Sequence, residues 1–301
     1  METTLSSQEN HRYLREKAGY FFLKDLCLIS AEGSDLFSYL QTQTTNDVNE
    51  LKPGQGQNNA IVDRKARVIS TFSLHRTGEE SAVILVETQQ KENLLDHLNS
   101  FLFREDVTLT LSNHFVLALQ GPKSQEIIKN FTRSDDSIPE KPNDICRFTF
   151  EGLPALAIAK SLTGEEGCVL VFQTESENPI TKKLLEFEQQ NLLTHIDPHA
   201  QEVFRIESGI PSYGKDINDK NILPETGLDH SSVSYNKGCY IGQEVIARIK
   251  TYGAPNFALM GLIIEGDTLP LHDDEIKLNS KKLGVIKSSI FSYSLQKNIS
   301  L

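Results

Sequence analysis

Twice along this chain, short β-patterned segments lead into one helix-patterned segment, and that alternation most constrains how 301 residues of this kind can fold. In the first round, NAIVDRKARVISTFSLHR reads as two strands joined by a tight basic turn and AVILVE as a third strand. Leu94, Leu95, Leu98, Phe101 and Leu102 then recur at helical spacing. In the second round, RFTF, ALAIAK and CVLVF precede a helix that starts near Pro179 and carries Leu184, Leu185, Leu192 and Leu193. The pattern predicts an α+β body, and the two rounds are too divergent to count as a repeat.

The flanking segments extend this reading. FFLKDLCLIS predicts a strand over 21–30, and Ser34 is placed to cap a short helix presenting Leu36, Phe37 and Leu40. HIDPHAQEVFRIESGIP is the best-punctuated helix, with Asp197 as N-cap, Pro198 in the first turn, Gly209 past the end and Pro211 beyond it. From Phe257 onward only short apolar stretches without helical period remain, which predicts a small β domain over 257–301. The body then spans 1–256, with a subdivision expected near 113–195.

Lys and Arg number 30 against 41 Asp and Glu, and the net charge of −11 opposes unaided attraction to nucleic-acid phosphates. No run approaches the roughly 18 apolar residues of a membrane helix, and METTLSSQENHRYLREK lacks the apolar core of a signal peptide. A cytoplasmic protein, without membrane or direct nucleic-acid partners, is therefore expected. Cys27, Cys146, Cys168 and Cys239 form no C-x-x-C pair and read as free thiols. His195 and His199 are separated by Pro198 at a helix start, so no metal site is predicted.

One segment suggests chemistry. In KGCYIGQEVIARIK, Gly238 and Gly242 flank Cys239, and Val245, Ile246 and Ile249 predict a helix beginning just after the second glycine. Cys239 would then sit near a helix N-terminus, where backbone N–H groups, Lys237 and Arg248 favour a thiolate. In the alternative, the glycines shape a tight strand-to-helix turn and the cysteine only fills space.

KGCYIGQE, comprising Lys237, Gly238, Cys239, Tyr240, Ile241, Gly242, Gln243 and Glu244, closely resembles the motif of YgfZ-type proteins. These are relatives of the folate-binding T-protein (aminomethyltransferase) of glycine cleavage. LQTQTTNDV, FLFREDVTL, LQGPKS, TGEEG, RIESGIP and LPETGLD resemble further family landmarks in the same order, so that the likeness runs from about residue 20 to about 265. The resemblance implies mixed sheets and helices around a central channel that takes tetrahydrofolate or a one-carbon derivative of it, followed by a small barrel-like C-terminal β domain. The barrel is expected to be short here.

By matching to the family, folate would lie against Leu26 and Gln201, neither of them aromatic, and Glu207 would accept the pterin's N–H donors. Ser70 and Thr71 stand where the T-protein carries an Asp-Asp pair, and neither can act as a carboxylate base. Asp63 and Lys65 match the hairpin's D-x-K-G and are either a cofactor-binding edge or a solvated hairpin tip, with Ala66 in place of the motif's glycine, which predicts an altered turn. These departures point to a folate-binding accessory factor for iron–sulfur enzymes, including tRNA-modifying ones, with Cys239 as its reactive thiol and assembly or client proteins as partners. The alternative is a folate-dependent aminomethyl transferase or demethylase with a carboxylate drawn from elsewhere.

Overall fold

In the computed structural model, which describes residues 5–132 and 137–301, the apolar run over 21–30 is two strands, not one. Lys24 and Asp25 form a turn, so β1 (Gly19–Phe22) and β2 (Leu26–Glu32) enter different sheets. Before them, polar α1 (Ser7–Glu16) is held by a capping box between Ser6 and Glu9. After them come α2 (Leu36–Gln43), β3 (Gly56–Val62), β4 (Val68–Arg76), β5 (Ser81–Glu87), α3 (Lys91–Ser100), β6 (Thr108–Ser112), β7 (His114–Gln120) and α4 (Ser124–Ile128). Ser34 does not cap α2. Its backbone N–H and hydroxyl both donate to the Asp106 carboxylate, and Asp35 takes the cap position.

The second half comprises β8 (Ile145–Phe150), β9 (Leu153–Ala159), β10 (Gly167–Gln173), α5 (Glu177–Gln189), β11 (Thr194–His195), α6 (Pro198–Glu207), α7 (Asp229–Ser232) and α8 (Gln243–Tyr252). Helix α6 begins as its punctuation predicts, with Asp197 Oδ1 accepting from the backbone N–H groups of His199 and Ala200. Helix α5 turns Ile180, Leu184 and Phe187 inward and leaves Leu185 exposed.

The first sheet has strand order β3-β4-β5-β2-β6 and is antiparallel throughout. The second has order β11-β1-β7-β10-β9-β8, with only the β1–β11 pair parallel. Helices α2 and α3 cover the outer face of the first sheet through Leu36, Leu40, Leu94 and Leu98. Helices α4 and α5 cover the outer face of the second through Ile127, Ile180, Leu184 and Phe187. The inner faces meet in a third apolar layer that joins Leu28, Val83 and Leu85 to Val116, Ile158 and Val171.

Strands β12 (Leu262–Ile264), β15 (Ser289–Ser292) and β16 (Lys297–Ser300) make a sheet of order β12-β16-β15, while β13 (Glu275–Leu278) and β14 (Lys281–Val285) make a separate hairpin. Ile290, Ile299 and Leu301 pack on Val203 and Ile206 of α6. Among the described residues, no helix is long and apolar enough to cross a membrane.

Candidate functional site

Strand alternation decides which side chains of the first sheet look toward the second. Ser70 pairs with Ile61 and shares the outer, helix-covered face with Phe72, whereas Thr71 pairs with Ala60 on the inner face. The inner face also carries Asn58 opposite Ser73, and Leu26 opposite Glu87. The β4–β5 ladder ends at the Phe72–Val86 pair, so that Thr71 and Glu87 each lie one residue past it. From the second sheet, Lys160 follows β9 on the same face as Ile158, and its Nζ donates to Asn58 Oδ1 at 3.4 Å.

These residues turn one end of the otherwise apolar inter-sheet layer into a polar cleft. Lys160 lies deep among protein atoms yet keeps some accessible surface, as do Leu26, Asn58, Thr71 and Glu87. Burial pushes the Lys160 ammonium down to about 8, against the opposing pull of the Glu87 carboxylate. Burial likewise raises the Glu87 carboxyl above its ordinary value, while the Gln89 amide at 2.9 Å and the Arg205 guanidinium pull the other way. His75 is fixed as the neutral imidazole. Its Nδ1–H donates to the Asn143 carbonyl at 2.9 Å and its Nε2 accepts from the Ser73 hydroxyl at 3.0 Å; burial and the Lys160 charge hold it down at about 3. Thr71 is fixed by Gln90, whose Oε1 accepts the Thr71 backbone N–H at 2.8 Å and whose Nε2 donates to the Thr71 hydroxyl at 3.3 Å.

The KGCYIGQE segment and the β3–β4 hairpin are brought together, on each other. Gly242 has φ +84°, and a Cβ there would meet the Asp63 carbonyl oxygen at 2.5 Å and Val62 Cγ2 at 2.7 Å. Buried Lys237 donates to the carbonyls of Thr44 and Asn46, both at 2.7 Å, and Tyr240 packs with Ala66, Leu223 and Ile246. The Gln243 amide reaches back to the Lys237 carbonyl at 3.3 Å. Most of the segment is therefore a latch on the hairpin, and Cys239, Glu244 and Lys65 are exposed. Cys239 lies in the loop ahead of α8, not in its first turn, because Gly242 has to turn the chain before the helix can begin at Gln243. Arg248 lies further along α8.

The hairpin turn differs from expectation in one respect. Ala66 keeps the left-handed conformation that a glycine would take, at φ +63°, so the turn survives with alanine carrying the strain. The Asp63 carboxylate serves that turn, with Oδ1 accepting the backbone N–H groups of Lys65 at 2.8 Å and Arg67 at 2.9 Å.

The residues expected on α6 are engaged elsewhere. Gln201 donates to the Ile196 carbonyl at 2.7 Å. Glu207 accepts from His11 at 2.9 Å and Arg15 at 2.8 Å on α1, and from Ser292 at 2.6 Å and Ser294 at 2.9 Å in the C-terminal sheet region. Burial would raise this carboxyl, but the hydrogen bonds from His11, Ser292 and Ser294 outweigh it and hold it well below the carboxylate range. Glu207 is thus a clamp between elements and has no free face for a pterin edge.

Of the residues singled out in the sequence, only Leu26 lies in the cleft together with Thr71. Glu87, Lys160, Asn58, Ser73 and His75 escaped notice because each reads as the polar end or solvent face of a strand. The usable signal was parity: Glu87 closes AVILVE and Lys160 closes ALAIAK on the inward-facing alternation of strands whose other residues are all apolar.

Comparison with known proteins follows the same lines. The model of the GCVT N-terminal domain family matches residues 2–237. An aminomethyltransferase of Oceanobacillus iheyensis is 31% identical over 310 residues, spanning 98% of this chain and 81% of that protein. One from Bacillus cytotoxicus is 27% identical over 304 residues with the same coverage. Among solved structures, glycine cleavage system aminomethyltransferase T from Bartonella henselae superposes with a TM-score of 0.86 at 18% identity, covering 98% of this chain and 80% of that one, a likeness of fold.

Proposed function

We propose, from the premise that the chain belongs to the aminomethyltransferase family that carries the GCVT N-terminal domain, that it binds tetrahydrofolate between its two main sheets and serves folate-dependent one-carbon transfer. The observation that carries this is the cleft itself, where polar groups able to recognise a pterin stand at the end of an apolar layer. Its donor and acceptor set suits that ligand. Asn58 offers a side-chain amide to an amino-pyrimidinone edge, Lys160 has ammonium protons beyond its one long bond to Asn58, and half-buried Leu26 gives the ring an apolar surface. The groups proposed to hold the folate are thus Leu26, Asn58 and Lys160. Bound there, tetrahydrofolate would supply the secondary amines that accept a one-carbon unit.

Calorimetric titration with tetrahydrofolate tests this directly. Saturable binding that weakens at least tenfold on Asn58→Leu substitution is expected, and a flat titration of the folded wild type would refute it.

A second reading, an accessory factor for iron–sulfur enzymes, is favoured by one feature, the exposed Cys239 presented by a rigidly latched KGCYIGQE segment. On this reading Cys239 is the reactive thiol, and assembly or client proteins are the partners. In a strain lacking the protein, the Cys239→Ala variant should then fail to restore iron–sulfur enzyme activity. Full restoration by that variant removes the thiol from the mechanism.

A further inference from the structure

Resting on the folate reading above, we infer that Glu87 is the proton-accepting group of the cleft, a carboxylate supplied by β5. Forming a C–N bond from a secondary amine to a one-carbon unit requires that the amine lose its proton, and the group receiving it must face the ligand. Thr71 faces the cleft but its hydroxyl cannot act as such a base, and Ser70 is turned to the outer face. His75 has both ring nitrogens committed, to Asn143 and Ser73. Asp63 is spent on its own turn, and Glu207 on its clamp. Glu87 remains. It pairs across the strands with Leu26, lies one residue past the last β4–β5 pair as Thr71 does, keeps accessible surface inside the molecule, and is held from one side by the Gln89 amide.

The charged groups around it come from three other elements. Lys160 approaches from the end of β9, Arg205 from α6, and Asp25 from the β1–β2 turn. Burial and Asp25 favour the protonated form and Arg205 the charged one, so the carboxyl is poised closer to neutrality than a surface glutamate. Lys160 acts by positioning, since its ammonium bridges Asn58 and the field of Glu87.

The step balances with an aldehyde or aminomethyl donor as co-reactant. A C–N bond forms as the bond from carbon to the leaving group breaks, the amine's proton passes to Glu87, and Glu87 returns it to the leaving group. With formaldehyde as donor, two C–N bonds replace the C=O bond and the two N–H protons leave with the oxygen as water.

The test uses the full chain with tetrahydrofolate and formaldehyde as probes. Binding is followed by calorimetry between pH 5 and 8, and condensation by its rate above the uncatalysed reaction. Glu87→Gln should bind tetrahydrofolate within about threefold of wild type at the alkaline end while its catalysed rate falls by about 10²-fold or more. The wild-type catalysed rate should fall as the pH drops and Glu87 takes up a proton, and the residual rate of Glu87→Gln should lack that dependence. Returning a carboxylate to the neighbouring strand, in the double variant Thr71→Asp/Glu87→Gln, should recover at least tenfold of the lost rate. A Glu87→Gln protein with wild-type rate and wild-type pH dependence would overturn the role of Glu87 and leave the folate reading intact. A wild type that binds no tetrahydrofolate would overturn both. If Glu87→Gln does not fold, Glu87→Asp, which retracts the carboxylate by one methylene, decides the matter, with a rate loss of tenfold or more supporting the inference and an unchanged rate overturning it.

Discussion

Lys160 shows how a single residue can reveal a site through the stability it gives up. A lysine whose ammonium is pushed down to about 8 by burial is disfavoured in the folded state at neutral pH, and residues kept at such a cost are kept for what they face. The sign follows from proton counts. Between about pH 8 and its ordinary value of 10.5, the unfolded chain binds more protons at this lysine than the folded one, so its contribution makes stability rise with pH across that window. Lys160→Met is therefore expected to stabilise the protein at pH 7 by on the order of 1–3 kcal/mol and to flatten the rise between pH 8 and 10. Urea denaturation across that range measures both effects, and an unchanged or lower midpoint at pH 7 would show that the ammonium is better solvated in the cleft than its surroundings imply.

Between elements, the informative contact is that of the KGCYIGQE loop with the β3–β4 hairpin. Gly242 combines a left-handed backbone with a carbonyl 2.5 Å from where a Cβ would stand, and backbone atoms cannot move aside as a flexible side chain can. Gly242→Ala should thus lose about 2–4 kcal/mol of stability, read from the denaturation midpoint at unchanged slope. Ala66, across the same contact, makes the opposite case. Glycine would relieve about 1 kcal/mol of left-handed strain and remove a buried methyl group worth about 0.8 kcal/mol, so Ala66→Gly should leave stability within about 1 kcal/mol. The motif was legible because glycines that permit a turn leave a local mark. Its role as a latch was not, because Asp63 and Gly242 are distant in sequence and nothing in either segment names the other.

Across the whole molecule, Glu207 and Arg205 at the end of α6 tie the body to the C-terminal strands. Arg205 pairs with Asp216 at 2.6 Å and Glu202 at 2.8 Å and donates to Ser288 at 2.9 Å, while Glu207 joins α1 to Ser292 and Ser294. Glu207→Gln should lose about 2–4 kcal/mol at pH 7, because an amide nitrogen would face at least one of those donors. The folded carboxyl titrates below its ordinary value of 4.5, so its stabilisation is complete above that pH and is lost as the pH falls below it. Acid unfolding followed by circular dichroism should show a steep wild-type limb below about pH 4.5 and a shallower one for the variant. The amino-acid sequence by itself determined the α+β class, helix α6 with its Asp197 cap and the start of helix α8 just after Gly242, since periodicity, caps and glycine turns act between residues close in the chain. Only the tertiary structure decided that the run over 21–30 divides between two sheets, that Glu207 is a clamp, and that Glu87, Thr71 and Lys160 share one cleft. Those outcomes depend on which inner faces meet and in what register, and register between strands far apart in sequence is settled by packing.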